Sequence, residues 1–156
     1  ADVDIIEAET VCPGKYIVII TGELSAVNAS VEAAKTVHSM HLIDSFVLGN
    51  PADEIFPAIY GASKVEIVNS LGIIETYDAA AIIVAADQAA KTAEVSLIEI
   101  RLARGMCGKS YLLITGEVAA VEAAIARAQK AVEPRGMYLD SSVIARPDKK
   151  LIDQIL

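Results

Sequence analysis

The stretch SLGIIETYDAAAIIVAADQAAKTAEV, Ser70 to Val95, decides the fold. Its hydrophobic period changes partway along. Leu71 to Tyr77 is β-rich and bounded by polar residues, so it reads as a strand. Asp78 is placed to cap a helix, and the alanine-rich run after it favours one. Ala79, Ile82, Ile83, Ala86 and Ala90 then fall on one helical face. Downstream, Val95 to Leu102 reads as a strand, and Gly105-Met106-Cys107-Gly108 as a glycine-punctuated turn. Tyr111 to Thr115 has strand length. Gly116 and Glu117 lead into a second helix whose Val121, Ala124, Ile125, Ala128 and Val132 share a face. Pro134 and Gly136 stop that helix. Met137 to Ile144 is a last strand, and a tail with helical character begins at Arg146-Pro147. The order β-α-β-β-α-β predicts an α+β, ferredoxin-like unit: an antiparallel sheet with its helices on one side.

Much of this unit occurs twice. ADVDIIE from Ala1 repeats as AEVSLIE from Ala93. KYIVIITGELSAV from Lys15 repeats as KSYLLITGEVAAV from Lys109, and DSFVLGNP from Asp44 as DSSVIARP from Asp140. The offset drifts from 92 to 94 to 96 residues, so the loops differ by about two residues each time. Three collinear matches mark an internal duplication. The front of the unit has no counterpart in the first copy, where the chain starts with that copy already under way. The expectation is a partial first domain over residues 1–66, of order β-β-α-β, and a complete second domain over residues 67–156. The helix of the first copy falls near Leu24 to Val37, with Val27, Val31 and Ala34 on one face. The missing initiator Met fits a truncated or processed product.

Composition narrows the function. The chain has 156 residues, 54 % of them apolar, and a mean hydropathy of +0.47. This excludes disorder, and no apolar run approaches the roughly 18 residues of a membrane span. Extra apolar content without a span suggests buried subunit interfaces. A net charge of −8 offers no basic footprint for nucleic acid. Two cysteines, Cys12 and Cys107, are too few for a disulfide scaffold, and a reducing cytoplasm is the default. No nucleophile–base set, Walker loop or working carboxylate pair is present, so the chain is read as a non-enzyme. His38 and His41, at the end of the first helix, read as capping or surface residues. Asp44 and Asp140 recur in both copies, which argues for a structural role.

The motifs of the second unit are specific in combination. GIIETYDAAAIIVAADQAAKTAEV, a glycine-bounded loop, LLITGEVAAVEAAIARA and SSVIARP closely resemble, in that order, the bacterial microcompartment shell domain. Two such domains in tandem, with CPGK in the first loop, are similar to the tandem-domain trimers of that family found in propanediol-utilisation compartments. The resemblance implies two tandem ferredoxin-like domains per chain and a homotrimer that mimics a hexamer. Such a trimer sits in a microcompartment shell in the bacterial cytoplasm, beside other shell proteins. It also implies a central pore lined by Val11, Pro13, Gly14, Gly105, Met106, Cys107 and Gly108.

The same resemblance implies one 4Fe–4S cluster per trimer, held by one Cys12 from each chain, with electron transfer across the shell, a redox partner, or cluster exchange as its use. Three thiolates would leave one iron open, where such clusters usually take four. An ordinary loop thiol is the plain alternative for Cys12. Counting back from the shared Thr-Gly-Glu, Cys12 aligns with Met106 and Cys107 with Pro13. Cys107 is then expected near the same opening with a different facing, or simply as a small residue in a tight turn. Lys91 and Arg146 stand where the family carries residues that join neighbouring tiles; a helical ion pair of Lys91 with Asp87 is the other reading. Asn50 replaces Arg146 in the first copy, so the two edges should differ. The competing function is a small-ligand-binding regulatory protein of the same fold, with its site between the repeats.

Overall fold

The structure is a computed structural model that describes residues 1–12, 14–65 and 69–155. The expected domain boundary at residues 66 and 67 lies outside the described residues. The second unit forms as the sequence predicts. Strands β3 (Ser70–Thr76), β4 (Val95–Arg101), β5 (Ser110–Gly116) and β6 (Tyr138–Ala145) make one antiparallel sheet in the order β4-β5-β3-β6. Helices α3 (Ala79–Ala90) and α4 (Val118–Val132) pack together and against one face of the sheet.

Asp78 caps α3, its carboxylate accepting from Ala81 N at 2.6 Å. Burial pushes the Asp78 carboxyl above the usual carboxylate range. Ala81, Ile82, Ala85, Ala86 and Ala89 are all fully buried, so α3 is enclosed on more sides than the single predicted face. Small alanines are what allow this. On α4 the predicted face is the buried one: Val121, Ala124, Ile125, Ala128 and Val132. Gly72 lets α4 approach β3, since a Cβ there would lie 2.5 Å from Val121 Cγ1. After α4 a short 3-10 turn, Glu133–Arg135, ends at Gly136 with φ +70°.

In the first unit, β1 (Asp4–Cys12) and β2 (Lys15–Thr21) form a two-stranded hairpin, followed by α1 (Leu24–Val37). The duplication extends to register. Asp4 and Ile5 pair with Thr21 and Ile20 as Ser96 and Leu97 pair with Thr115 and Ile114. Each outer strand breaks register at the same place, between Ile5 and Glu7 and between Leu97 and Glu99. The expected last strand of this copy, Asp44 to Pro51, is not a strand but an irregular segment with a bend at Gly49 and Asn50. In the second unit β6 has β3 as its ladder partner. The described residues of the first unit hold no equivalent of β3, so the same sequence has nothing to pair with. For the same reason α1 buries none of its residues, whereas its sequence copy α4 buries five.

The first unit leans on the second instead. Ile17, Ile19, Phe46 and Leu48 pack against the main core. A short helix not anticipated from sequence, α2 (Ile55–Ile59), buries Ile55 and Ala58 against β4. The C-terminal tail forms α5 (Lys149–Ile155), as expected, and its Ile155 lies over the outer face of the sheet with Leu71, Ile98 and Leu113.

Candidate functional site

The two glycine-bearing loops come together in one chain. Cys12 ends β1, and its cross-strand partner is Lys15 at the start of β2. The hairpin tip turns through Gly14, whose φ is +76°. Pro13 and the side chain of Cys12 lie outside the described residues. The second loop, between β4 and β5, carries four left-handed residues: Ala103, Gly105, Cys107 and Gly108. Two of them are not glycine, so their conformation has to be held by contacts. Ala103 N donates to Ser110 Oγ at 3.0 Å, and Lys109 N donates to Met106 O at 3.2 Å. From the first unit, Lys15 Nζ donates to Cys107 O at 2.9 Å. A Cβ on Gly108 would run into that lysine side chain.

A second basic anchor sits beside this one. Arg104 pairs through its guanidinium with Glu7 and Glu9 of β1. The Glu7 hydrogen bond, the largest cause, and the adjacent carboxylates raise the Arg104 pKa further. Two cations, one from each unit, therefore tie the loop of the second unit to the hairpin of the first. Lys15, Arg104, Glu7 and Glu9 were not singled out by sequence reasoning. The signal available was the recurrence of lysine at Lys15 and Lys109, immediately after each loop.

The other predicted loop residues can be placed individually. Val11 is buried, Met106 half-buried and Cys107 exposed with a free thiol. Gly14 and Gly105 are exposed, with no atom within 4 Å of a Cβ built on either. Gly108 is buried under Lys15. The residues expected to line an opening thus divide into an open tip and a held base. Among the described residues no group of three His, Cys, Asp or Glu side chains could hold a metal ion.

Lys91 and Arg146 differ in setting. Lys91 pairs with Asp87 at 2.7 Å and also donates to Asn50 O. Asp87, 3 % exposed at its side chain, accepts from Ala52 N at 3.0 Å as well. The helical ion pair therefore exists, and it fastens the end of the first unit to α3 while Lys91 stays 41 % exposed. Arg146 is exposed, has φ +50°, and its N–H donates to Asn69 O. Asp44 pairs with Arg135 at 2.6 Å, and both Asp44 and Asp140 accept from the N–H of the serine that follows. Each carboxylate thus fixes its own backbone locally, and Asp44 also meets Arg135 of the second unit. His38 caps α1 through its backbone, and both histidines are exposed.

A cavity of about 300 Å³ lies on the outer face of the sheet, lined by Ile98, Glu99, Arg101, Tyr111, Leu113 and Ile155 among others. Gly61 and Ser63, from the end of the first unit, and Gln154 of α5 complete its lining. No helix among the described residues is long and apolar enough to cross a membrane.

Comparison with known proteins gives three concordant results. The family described as the BMC domain matches residues 1–51 and again residues 70–147. The bacterial microcompartment shell protein PduT of Citrobacter freundii is 33 % identical over 156 residues, covering all of this chain and 85 % of its own length. A solved structure of a microcompartment protein from Desulfitobacterium hafniense DCB superposes with a TM-score of 0.87 at 45 % identity. That match covers 98 % of this chain and 85 % of the other.

Proposed function

Since this chain belongs to the BMC-domain shell proteins of bacterial microcompartments and is similar to PduT, we propose that it acts as a tandem-domain trimer with a redox centre on its axis. Its place is the microcompartment shell, and its role there is structural, without catalysis of its own. Two related units per chain and three chains give six similar wedges around one axis. The observation that carries this reading is the hydrogen bond from Lys15 to Cys107 O. It brings the loops of both units to one place in each chain, so a threefold axis there would be ringed by six loops.

The residues at the hairpin tip fit a cluster ligand. Cys12 stands at the end of β1 with Lys15 as its cross-strand partner, and iron is bound by the thiolate form of cysteine. The space around Gly14 is open. One chain supplies one such cysteine, so a cluster would need three Cys12 thiolates from three copies. When bound, a 4Fe–4S group supplies one-electron transfer. This chain's own contribution is to hold the ligand on a two-stranded hairpin braced against the second loop. Partners are then further copies, other shell proteins and a redox protein at the exposed iron.

The test is light scattering on freshly purified protein, with iron and sulfide assayed on anaerobic material. A trimer with iron and sulfide supports the whole reading. A trimer with neither reduces the protein to a plain tile, and a stable monomer at micromolar concentration overturns the assembly.

A further inference from the structure

We propose that Lys109 is the residue that seats the neighbouring copy's Cys12 loop: it closes over Gly14 of the next chain, as Lys15 closes over Gly108 within one chain. The inference deepens the trimer reading above and rests on it. It adds a residue from the partner copy to the site, so that the loop bearing the cluster ligand is completed only in the assembly.

Both halves of the internal contact are duplicated. Lys109 is the sequence copy of Lys15, and Gly108 that of Gly14, since each lysine directly follows its glycine. Both glycines are left-handed, Gly14 at φ +76° and Gly108 at φ +92°. Their surroundings differ. The three atoms nearest a Cβ on Gly108 all belong to the Lys15 side chain, and Gly108 is buried. A Cβ on Gly14 meets nothing within 4 Å, and Gly14 is exposed. The lysines differ in the same sense. Lys15 is half-buried and donates to Cys107 O at 2.9 Å, whereas Lys109 is exposed and its ammonium meets no partner among the described residues. One chain therefore carries an unengaged lysine and an open glycine tip, the two halves of a contact it makes once internally.

What covers Gly108 comes from the other unit. No strand or helix of the second unit is among those three atoms, so the open space at Gly14 matches a lysine from another unit rather than an element of its own. The direction follows from the ring. Inside the chain the contact runs from the first unit to the second. In a closed head-to-tail ring of six wedges the next contact runs from the second unit to the first unit of the following chain. That step brings Lys109 to Gly14. Counting back from the shared Thr-Gly-Glu, Arg104 aligns with Thr10. The second anchor inside the chain, Arg104 on Glu7 and Glu9, is therefore not repeated by Thr10 between copies, and Lys109 acts there without it.

The experiment couples the two positions directly. One chain carries Gly14→Asp and Lys109→Met, since aspartate tolerates the left-handed region better than most residues. The other keeps both native residues and carries an affinity tag. Co-expressed as mixed trimers and treated with a zero-length carbodiimide, unlike chains should become joined, with positions 14 and 109 linked in the digest. The link should vanish when both chains carry Lys109→Met. Light scattering on the same samples separates the two readings. A trimer in which positions 14 and 109 do not couple overturns the role of Lys109 and leaves the assembly standing; a monomer overturns both. As an independent check, Lys109→Met alone should weaken trimer association by about fivefold per contact, the ordinary net worth of such a bond, while Lys109→Arg should keep it. Equal association of Lys109→Met and the parent would show that the ammonium is not used between copies.

Discussion

Lys15 Nζ lies 2.9 Å from the carbonyl oxygen of Cys107 and donates a hydrogen bond to it across 92 residues of chain. Lys15 is the cross-strand partner of Cys12, so the strand residue that follows the first loop holds the second. Cys107 is left-handed at φ +56°, which is unfavourable for a residue with a Cβ. A charge-assisted bond to its carbonyl offsets part of that cost. The glycine-rich loops are therefore not simply loose tips. Their bases are fastened to each other, and the fastening joins the two units of the duplication.

This contact gives the first prediction. Lys15→Ala should lower stability by about 1 kcal/mol, the ordinary net worth of such a bond. Gly108→Ala should cost roughly 1–2 kcal/mol, because φ is +92° there and the new Cβ meets the Lys15 side chain. With both changes made, the steric part disappears and only the strain remains. Urea denaturation of the four proteins should give a double-mutant total smaller than the sum. Strict additivity would mean that Lys15 does not occupy the space above Gly108.

The edge of α3 gives the second. Asp87 is almost wholly buried and serves both Lys91 and Ala52 N. Asp87→Ala leaves Ala52 N without its acceptor, takes from Lys91 one of its two partners, and should cost about 2 kcal/mol. Lys91→Ala removes only a half-exposed cation and should cost less than about 1 kcal/mol. Its larger effect is expected in lateral assembly, where one edge contact repeats over every tile. Thermal melts order the two variants, and electron microscopy of sheets reads the second effect. Unchanged sheets from Lys91→Ala would assign the lysine to the junction between units alone.

The second unit was legible in the sequence because its signals are local. Strand and helix periods alternate cleanly from Leu71 to Ile144, and Asp78, Pro134 and Gly136 mark the helix limits. The failure at Asp44 to Pro51 has a physical cause. The segment repeats a strand sequence, but a strand needs a partner, and pairing is not written in the segment itself. Helix α2 was missed because five residues containing Pro57 give no usable period. At the candidate site, the loop glycines and the Lys91–Asp87 spacing could be read directly. The links of Lys15 to Cys107 O and of Arg104 to Glu7 and Glu9 join residues more than 90 apart, and only the folded arrangement reveals them.

Tyr111 supplies a pH prediction. Burial, then the hydrogen bond and negative charge of Glu99, push its hydroxyl up to about 12. The folded state therefore keeps this proton where the unfolded chain, near 10, has released it. Stability from this group is complete below about pH 10 and is lost as the pH rises toward 12. In an absorbance titration of the five tyrosines, Tyr111 should ionise late, and Tyr60, which burial also raises, should follow the other three. Glu99→Gln should bring the Tyr111 ionisation back toward the others, because it removes the charge and keeps the shape. A single unshifted tyrosine wave would contradict the contact.

The last prediction separates the two cysteines. Cys12 ends a hairpin strand beside Lys15, whereas Cys107 is an exposed thiol whose carbonyl is already engaged. If three Cys12 thiolates hold a cluster on the trimer axis, Cys12→Ser should abolish bound iron and brown colour. A serine hydroxyl is a harder and far weaker ligand for such a cluster than a thiolate. Cys107→Ser should keep the iron. Both variants should remain trimers, because the described contacts between units come from strands, helices and ion pairs. Anaerobic reconstitution of both variants beside the parent, with iron, sulfide and visible spectra measured on each, decides the matter. Iron retained in Cys12→Ser, or lost only in Cys107→Ser, would move the ligand to the second loop; iron in none of the three would leave a shell tile whose loops line a pore and hold no metal.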